Sequence, residues 1–205
     1  MTEPHRCAWA DPKQPLYLDY HDLEWGVPQR DPQALYELLT LEGFQAGLAW
    51  ITVLKKREAF RRAFGGFDPE VVSRFGEGDV MRILADANVI RSRAKIEAAI
   101  SGARAALRMR EDSQDLSSFL WSFVDGRPIQ GAYAAAGEVP VSTPLSAELS
   151  KALKAKGFSF VGPVIIYAFM QACGMVNDHL TDCFRHEPIR RMGEGWPEKS
   201  QRVRI

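Results

Sequence analysis

A single acidic side chain, Glu42, lies among apolar and aromatic residues in the segment LEGFQAGLAW, residues 41–50. Because removing an unpaired carboxylate from water costs more than packing returns, this glutamate must be solvated, paired or functional. We expect a functional role, at a point where glycines interrupt a helical pattern. The alternative is a helix that ends at Gly43 and leaves Glu42 facing water, and the segment alone does not decide between the two.

A second segment that predicts chemistry is GFSFVG, residues 157–162. Two glycines that flank a short apolar turn between helices allow the backbone to turn sharply and to present its N–H groups to a phosphate. Such a hairpin holds a duplex by its backbone without reading bases, and nearby Lys151, Lys154 and Lys156 supply positive charge. The alternative is an ordinary helical hairpin with a glycine cap at Gly157.

Two cysteines and two histidines near opposite ends of the chain have the residue types of a zinc site. Cys7 and His21 are both in the N-terminal region, whereas His179 and Cys183 are four residues apart and would share one face of a helix if their segment were helical. Two thiolates and two imidazoles form a closed tetrahedral set for structural Zn²⁺, with no position for a catalytic water. The alternative is an unpaired surface thiol at Cys7 and a hydrogen-bonded loop histidine at His21. Cys173 is expected to contribute packing only.

The composition excludes a strong global field, since 26 basic and 26 acidic side chains give a formal net charge of zero over 205 residues. An anionic partner must therefore meet a local patch. Three cysteines cannot all pair, and residues 1–19 lack the apolar run of a signal peptide, so we expect a cytoplasmic protein. The apolar stretch 161–172 is too short to span a bilayer, and we expect no membrane association.

The elements that position these residues are predicted to be helices. A capping residue followed by proline marks helix starts, and apolar periodicity marks helix faces. No strand-like alternation of any length appears, so the sequence predicts an all-α fold. The predicted helices cover residues 32–41, 48–64, 94–109, 144–156 and 163–173, with short ones beginning at residue 69, near residues 80–84 and over residues 119–124.

The two ends of the chain are predicted to differ from this helical region. Residues 1–29 are rich in proline and aromatic side chains and are expected to form an irregular arm packed onto the rest. Residues 1–187 are predicted to form a single helical domain, because no long linker or repeat divides them. Residues 188–205 are predicted to form a charged, disordered tail.

Five segments together carry a family resemblance: RCAW (residues 6–9), YHDLEWGVP (20–28), LEGFQAGLAWITVLKKRE (41–58), GFSFVG (157–162) and FMQACGMVNDH (169–179). In these segments the chain closely resembles the 3-methyladenine DNA glycosylase I family. The resemblance implies the all-α helix-hairpin-helix DNA glycosylase fold, with a zinc site that joins the N-terminal arm to the C-terminal region. It makes GFSFVG the DNA-binding hairpin, with contacts from Gly157, Phe158, Val161 and Gly162.

The resemblance implies that residues 41–50 recognise a base. Glu42 matches the family's pocket glutamate and is the expected catalytic residue. Tyr20, Trp25 and Trp50 match the aromatic pocket, and Tyr17 is expected at its rim. A base methylated at N3 is positively charged, so a buried carboxylate and aromatic faces select it over neutral adenine.

The implied reaction is hydrolytic release of 3-methyladenine from alkylated double-stranded DNA. The enzyme flips the damaged nucleotide out of the duplex, and Gly47 and Leu48 suit a small wedge that fills the gap. Because cleavage neutralises the methylated base, Glu42 is expected to select a cation and not to transfer a proton. No lysine occupies a nucleophile position, so we expect a monofunctional enzyme without lyase activity that releases the free base as product. We also expect the protein to be a monomer.

The resemblance also implies a metal, because the family's zinc ligands match Cys7, His21, His179 and Cys183. One structural Zn²⁺ is therefore expected. In many relatives of the wider superfamily an aspartate after the hairpin helix stabilises the sugar cation, and Asp178 is the nearby candidate here. We expect Asp178 to serve structure instead, since it directly precedes a metal ligand.

Three other interpretations remain at the level of the sequence. A related helix-hairpin-helix glycosylase would act on another damaged base through Asp178. A non-catalytic protein that binds alkylation damage would keep the hairpin and the aromatic pocket but release no base. A zinc-clamped helical interaction module would need neither Glu42 nor the hairpin glycines, and its weak binding to duplex DNA would depend little on salt.

Overall fold

The computed structural model describes residues 4–194 of the chain. This part of the chain is mostly helical, which confirms the helical prediction, and none of its helices is long and apolar enough to cross a bilayer. It contains eleven α-helices. They are α1 (Pro15–Leu23), α2 (Pro32–Gln45), α3 (Trp50–Leu54), α4 (Arg57–Ala63), α5 (Pro69–Val72), α6 (Glu77–Ala85), α7 (Arg93–Glu111), α8 (Leu116–Ser122), α9 (Pro144–Lys156), α10 (Pro163–Ala172) and α11 (His186–Glu194).

Two short strands and two 3₁₀ helices accompany the α-helices. Strands β1 (Ile129–Gln130) and β2 (Val176–Asn177) pair in parallel. The 3₁₀ helices are Gly65–Phe67 and Ala136–Glu138. The sequence did not predict the strands, because two residues are too few to show an alternating pattern.

Several helix starts lie where the sequence predicted them, because their capping side chains bind the first turn. The Asp31 side chain accepts a hydrogen bond from the Ala34 N–H at 2.8 Å at the start of α2. The Thr143 hydroxyl accepts one from the Ser146 N–H at 3.1 Å at the start of α9. Each such cap stabilises its helix by about 1 kcal/mol. Helix α9 also ends at Lys156, as predicted.

Helix α2 is longer than predicted, since it continues through Gly43 to Gln45. Gly43 packs against the turn that contains Phe160. A Cβ atom built on Gly43 would lie 3.4 Å from the Cβ atom of Phe160, so little room remains for a side chain. Gly43 therefore permits close packing and does not end the helix.

The prediction of one helix over residues 48–64 is wrong, because this stretch forms two helices, α3 and α4. The Lys56 N–H donates to the Val53 carbonyl, three residues back, at 2.9 Å. The chain thus turns more tightly here than an α-helix does. Buried Leu54 and Phe60 anchor the two helices separately.

The prediction of an irregular N-terminal arm is wrong in part, because the arm contains helix α1. Pro15 occupies the first turn of this helix, where the N–H that proline lacks would have no partner within the helix. The dense prolines of the arm hid this helix in the sequence. Buried Tyr20 and His21 lie on it, so the helix positions two residues that the sequence had marked for function.

The prediction of a disordered tail over residues 188–205 is wrong for residues 188–194, which belong to helix α11. The Glu187 carboxylate pairs with Arg190 at 2.6 Å and with Arg191 at 2.8 Å. Pairs three and four residues apart stabilise a helical turn, and fully buried Ile189 anchors it. Residues 195–205 of the predicted tail lie outside the described residues.

The chain forms two compact units that are each assembled from separate segments. The first unit comprises the described parts of residues 1–29, 119–140 and 170–205. It contains the β1–β2 pair, and the Trp121 indole N–H donates to the Gln29 carbonyl at 2.8 Å. These contacts connect segments that are distant in sequence within this unit.

The second unit comprises residues 30–118 and 141–169. Its core is aromatic, and the ring centroids of Phe44 and Phe60 lie 4.6 Å apart. Burying one such ring stabilises a fold by about 2 kcal/mol. Helices α2 and α7 pack against each other in this unit. The aromatic core thereby fixes the last turns of α2, which carry Glu42.

Candidate functional site

Glu42 is buried near the end of α2, so the alternative in which it faces water is wrong. Only 3% of the residue is exposed. Among residues 4–194, no group donates a hydrogen bond to its Oε2 atom. Burial raises the pKa of Glu42 to about 8. The carboxyl group therefore holds its proton at neutral pH, and an approaching cation would favour its ionised form.

The segment after α2 places Gly47 and Leu48 at the surface. Gly47 has φ +81°, a left-handed conformation that favours glycine. The Leu48 side chain is large and apolar, yet the residue is 42% exposed. Trp50 follows at the start of α3 and is partly exposed. An exposed leucine on a glycine turn has the form expected of a wedge.

The GFSFVG segment forms the turn between α9 and α10. Gly157 caps α9 in a left-handed conformation with φ +101°. The Ser150 hydroxyl donates to the Val161 carbonyl at 2.5 Å and closes the turn against α9. Phe158 and Val161 have buried side chains, so these two residues can reach DNA only through their backbone. The glycine cap occurs in both interpretations of the hairpin, and DNA binding by this turn stays a prediction.

The aromatic residues of the arm form a cluster around Trp9 in the first unit. The Trp9 ring centroid lies 5.5 Å from that of Tyr17, 6.2 Å from that of Tyr20 and 5.0 Å from that of Trp25. The pairs with Tyr17 and Trp25 are edge-to-face and the pair with Tyr20 is tilted, and packing at these separations restricts the orientation of each ring. The sequence analysis assigned no role to Trp9. The sequence signal that could have marked Trp9 is its position two residues after Cys7, a candidate metal ligand.

Cys7, His21, His179 and Cys183 converge in the first unit, and all four are buried. Their candidate ligand atoms lie within 4.8 Å of one another. Cys183 Sγ is 3.5 Å from both His21 Nε2 and His179 Nδ1, so the two ends of the chain meet here. The alternative of a surface thiol at Cys7 and a hydrogen-bonded loop histidine at His21 is therefore wrong, because Cys7 is buried and His21 lies on helix α1. The residue types and the convergence fit a closed tetrahedral site.

The outer nitrogen atoms of both histidines are also held. His21 Nδ1 lies 2.7 Å from Asp22 Oδ1, and the Arg6 guanidinium binds the same carboxylate at 2.8 Å. Burial opposes ionisation of Asp22, but the hydrogen bonds from Arg6 and His21 prevail and lower its pKa. His179 Nε2 lies 3.1 Å from the Trp25 carbonyl. These partners orient His21 Nε2 and His179 Nδ1 toward the two thiols.

The two thiols differ in their electrostatic environment. The hydrogen bond with Cys183, followed by burial, raises the pKa of Cys7. The same hydrogen bond, together with those that link Cys183 to His179 and His21, lowers the pKa of Cys183 against the effect of burial. Cys183 therefore ionises more readily than Cys7, and a cysteine must be ionised to bind a metal.

Asp178 is buried beside this cluster. Its Oδ2 atom accepts a hydrogen bond from the Gln171 amide at 2.9 Å. A Cβ atom on Gly131 would lie 2.7 Å from Asp178 Oδ1, so the carboxylate packs tightly against the backbone. These contacts support the prediction that Asp178 serves structure.

Comparison with known proteins identifies the class. The sequence model of the methyladenine glycosylase family matches residues 9–186. DNA-3-methyladenine glycosylase 1 of Escherichia coli strain K12 is 52% identical over 178 residues, which cover 87% of this chain and 95% of the relative. A crystal structure of 3-methyladenine DNA glycosylase I matches with a TM-score of 0.87 at 53% identity, over 89% of this chain and 100% of the other.

A third match is a structure of 3-methyladenine DNA glycosylase I from Staphylococcus aureus that describes the structural basis of 3-methyladenine recognition. Its TM-score is 0.85 at 40% identity, over 88% of this chain and 96% of that one. The chain therefore belongs to the methyladenine glycosylase family, and the resemblance found in its sequence is confirmed. These matches extend over most of each chain and assign no role to individual residues.

Proposed function

We propose that this protein is a DNA glycosylase that acts as a monomer and hydrolyses the N-glycosidic bond of 3-methyladenine in alkylated double-stranded DNA. The observation that carries the proposal is the buried Glu42 carboxyl group in a chain 52% identical to an E. coli DNA-3-methyladenine glycosylase. A buried acid without full hydrogen bonding is destabilising, and such groups concentrate at functional sites. A base with a fixed positive charge would compensate this cost by pairing with the ionised carboxylate.

In the proposed reaction the base leaves with the electron pair of its N-glycosidic bond, which neutralises its positive charge. Water adds hydroxide to C1′ of the oxocarbenium-like sugar and releases a proton to solvent. Glu42 transfers no proton. The cationic base favours the ionised carboxylate and lowers the pKa of Glu42 from about 8, so binding and ionisation are coupled. Neutral adenine lacks the charge that drives this coupling and is rejected.

Aromatic side chains have the second role in base selection. We assign it to Trp50 and to three residues of the N-terminal arm, Tyr17, Tyr20 and Trp25. Their electron-rich faces attract a cationic base more strongly than a neutral one. The contacts of Trp9 with the three arm residues, edge-to-face with Tyr17 and Trp25 and tilted with Tyr20, support this role, because rigid rings lose little freedom on binding.

DNA binding is assigned to the hairpin and to the segment after α2. Helices α9 and α10 with their turn would form the helix-hairpin-helix element of the family's superfamily, and residues 157–162 would hold phosphates through backbone N–H groups. The exposed Leu48 and the left-handed Gly47 would fill the space that the extruded nucleotide leaves. Flipping is least costly for a damaged base, which adds selectivity.

The four converging ligands are assigned to one structural Zn²⁺. Cys7, His21, His179 and Cys183 supply the sulfur and nitrogen donors that zinc prefers, and four protein ligands leave no position for a reacting water. When bound, the metal supplies a cross-link between distant segments of the chain. Asp22 and the Trp25 carbonyl hold the two imidazoles in the orientation that such a site needs.

The direct test is incubation of the purified protein with a duplex that contains 3-methyladenine, followed by chromatography of the released base. We expect free 3-methyladenine and an abasic strand, and no covalent adduct after borohydride treatment, because no lysine attacks the sugar. Release of only uracil or an oxidised purine would contradict the assigned substrate. Tight binding of the damaged duplex without release would identify a damage-binding protein instead.

A variant separates base selection from folding. Glu42→Gln keeps the shape but cannot ionise, so we expect affinity for 3,9-dimethyladeninium, which keeps the positive charge of the base in DNA, to fall roughly tenfold or more. Circular dichroism should show an unchanged helical fold. Asp178→Asn is expected to retain turnover; loss of turnover in Asp178→Asn with none in Glu42→Gln would favour a relative that acts on another base.

A further inference from the structure

Lys95, on α7 of the second unit, binds the end of the helix that carries Glu42. Its Nζ atom donates to the Phe44 carbonyl at 2.8 Å and to the Ala46 carbonyl at 2.7 Å. Ala46 is the capping residue directly after α2. The last carbonyls of a helix have no partner within the helix, and a cation there also complements the helix dipole. Lys95 thus fixes the point where α2 passes into residues 47–48.

The same ammonium group faces the turn between α9 and α10. Lys95 Nζ lies 5.8 Å from the centroid of the Phe160 ring, within the range of a cation–π contact. Phe160 has φ +56°, so the turn holds this residue in an uncommon left-handed conformation. Gly43 packs against Phe160 from α2. Lys95 therefore connects the end of α2 to the hairpin turn at a place where the two already touch.

The surroundings of Lys95 strengthen this connection. A cleft between α2, α7 and the turn is lined by Thr40, Gly43, Lys95, Ser159 and Phe160, among others. Lys95 is partly withdrawn from water in this cleft, and that burial lowers the pKa of its ammonium group. Hydrogen bonds to a charged donor are stronger where water competes less.

We propose that Lys95 is a positioning residue that fixes the distance between the wedge at residues 47–48 and the hairpin turn at residues 157–162. The proposal rests on the assignment of both segments to DNA. The turn holds the phosphate backbone while the wedge enters the base stack, so flipping requires a fixed spacing between them. Lys95 itself contacts neither the base nor the sugar. Its loss affects steps that need duplex DNA and spares recognition of the free base.

The test compares Lys95→Met with the wild type and with a matched control. Methionine keeps an unbranched side chain but cannot donate a hydrogen bond. The control is Lys56→Met, because Lys56 also donates to a backbone carbonyl, that of Ala87 at 3.1 Å, on an exposed surface of the same unit. Three quantities are measured for each protein: turnover of the methylated duplex, affinity for free 3-methyladenine, and fluorescence of a 2-aminopurine beside an abasic analogue in a duplex.

We expect Lys95→Met to lose roughly tenfold to a hundredfold in kcat/KM on the duplex, since small errors of position have effects of this size. The 2-aminopurine signal that reports wedge insertion should shrink, while affinity for free 3-methyladenine stays within about twofold of the wild type. Lys56→Met should match the wild type in all three measurements. A residue with a merely structural role would not lower turnover of the duplex while leaving affinity for the free base unchanged.

Several outcomes would overturn the proposal. Wild-type turnover in Lys95→Met would show that the spacing does not depend on this lysine. Equal loss of duplex turnover and of free-base affinity, or failure of the variant to fold, would assign Lys95 to the stability of the fold. A wild-type protein that releases no 3-methyladenine would instead contradict the proposed function, so the two failures are distinguishable.

Discussion

The two regions assigned to function differ in whether their buried polar groups have hydrogen-bond partners. In the first unit, the candidate metal ligands lie within 4.8 Å of one another, and the outer nitrogen atoms of both histidines have acceptors. In the second unit, Glu42 is equally buried, but within the described part of the chain its Oε2 atom accepts no hydrogen bond. A satisfied cluster stabilises a fold, whereas an unsatisfied carboxyl group weakens it.

This difference separates a structural centre from a recognition site. Removing one member of the Cys–His cluster leaves the proposed metal site with only three protein ligands, so stability should fall. Glu42→Gln removes the free-energy cost of protonating a buried carboxyl group at neutral pH, so stability should not fall while base selection does. Sites that select a ligand often retain such a cost in the unliganded state. The contrast can be tested one region at a time.

The largest effect is expected at the metal ligands. Cys183→Ala should remove bound zinc and lower the free energy of unfolding by about 5 kcal/mol or more, because metal binding is coupled to folding. Elemental analysis and thermal unfolding measure the two effects. Cys173→Ala is the control, since Cys173 is buried in the same unit outside the cluster, and it should keep the metal and lose only about 1 kcal/mol. Metal-free wild type with full stability would contradict the assignment.

The next largest effect concerns the pH dependence of stability at Glu42. The pKa of this group rises from 4.5 in the unfolded chain to about 8 on folding, so its stabilising contribution is complete below pH 4.5 and is lost as pH rises toward 8. The loss at pH 7 is about 3 kcal/mol. Urea unfolding across this pH range should show that Glu42→Gln removes this part of the slope.

A control variant isolates that effect. Glu148 is exposed on α9, so Glu148→Gln should keep the wild-type slope. Parallel pH profiles for the wild type and Glu42→Gln would mean that the Glu42 carboxyl group ionises normally in the folded protein. The account of cation selection by a buried acid would then lose its physical basis.

The smallest effect distinguishes two glycines of the hairpin. Gly157 has φ +101°, so Gly157→Ala should cost about 1 kcal/mol of stability. A Cβ atom on Gly162 would meet no atom within 4 Å, and its φ is outside the left-handed region, so Gly162→Ala should leave stability unchanged. Urea midpoints measure both. If the two variants lost equal stability, the turn would not have the backbone conformation described here.

Local signals predicted much of the helical framework, because capping acts over a few residues. Asp31 and Thr143 bind N–H groups three residues ahead, which is why the starts of α2 and α9 were predictable. The same rules failed at Gly43, since its glycine permits contact with Phe160, more than a hundred residues away in the sequence. A pattern read along one segment contains no information about such a partner.

The candidate sites show the same limit. Residue types suggested zinc ligands, but only the fold shows that Cys183 meets His21, and the supporting role of Asp22 was not predicted. The burial of Glu42 was one of two open alternatives. Lys95 carried no signal, since a lysine that binds backbone carbonyls looks in sequence like any lysine on a solvated helix face.

The central claim is that Glu42 is a protonated, buried acid that ionises when it meets a cationic base. The most direct measurement is a carbon-13 NMR titration of the Glu42 carboxyl group, assigned by comparison with Glu42→Gln, in the free protein and with 3,9-dimethyladeninium, which keeps the fixed positive charge of the base in DNA. The account predicts a pKa of about 8 in the free protein and a markedly lower value in the complex. A pKa near the ordinary value of 4.5 in the free protein, unchanged by the base, would contradict it.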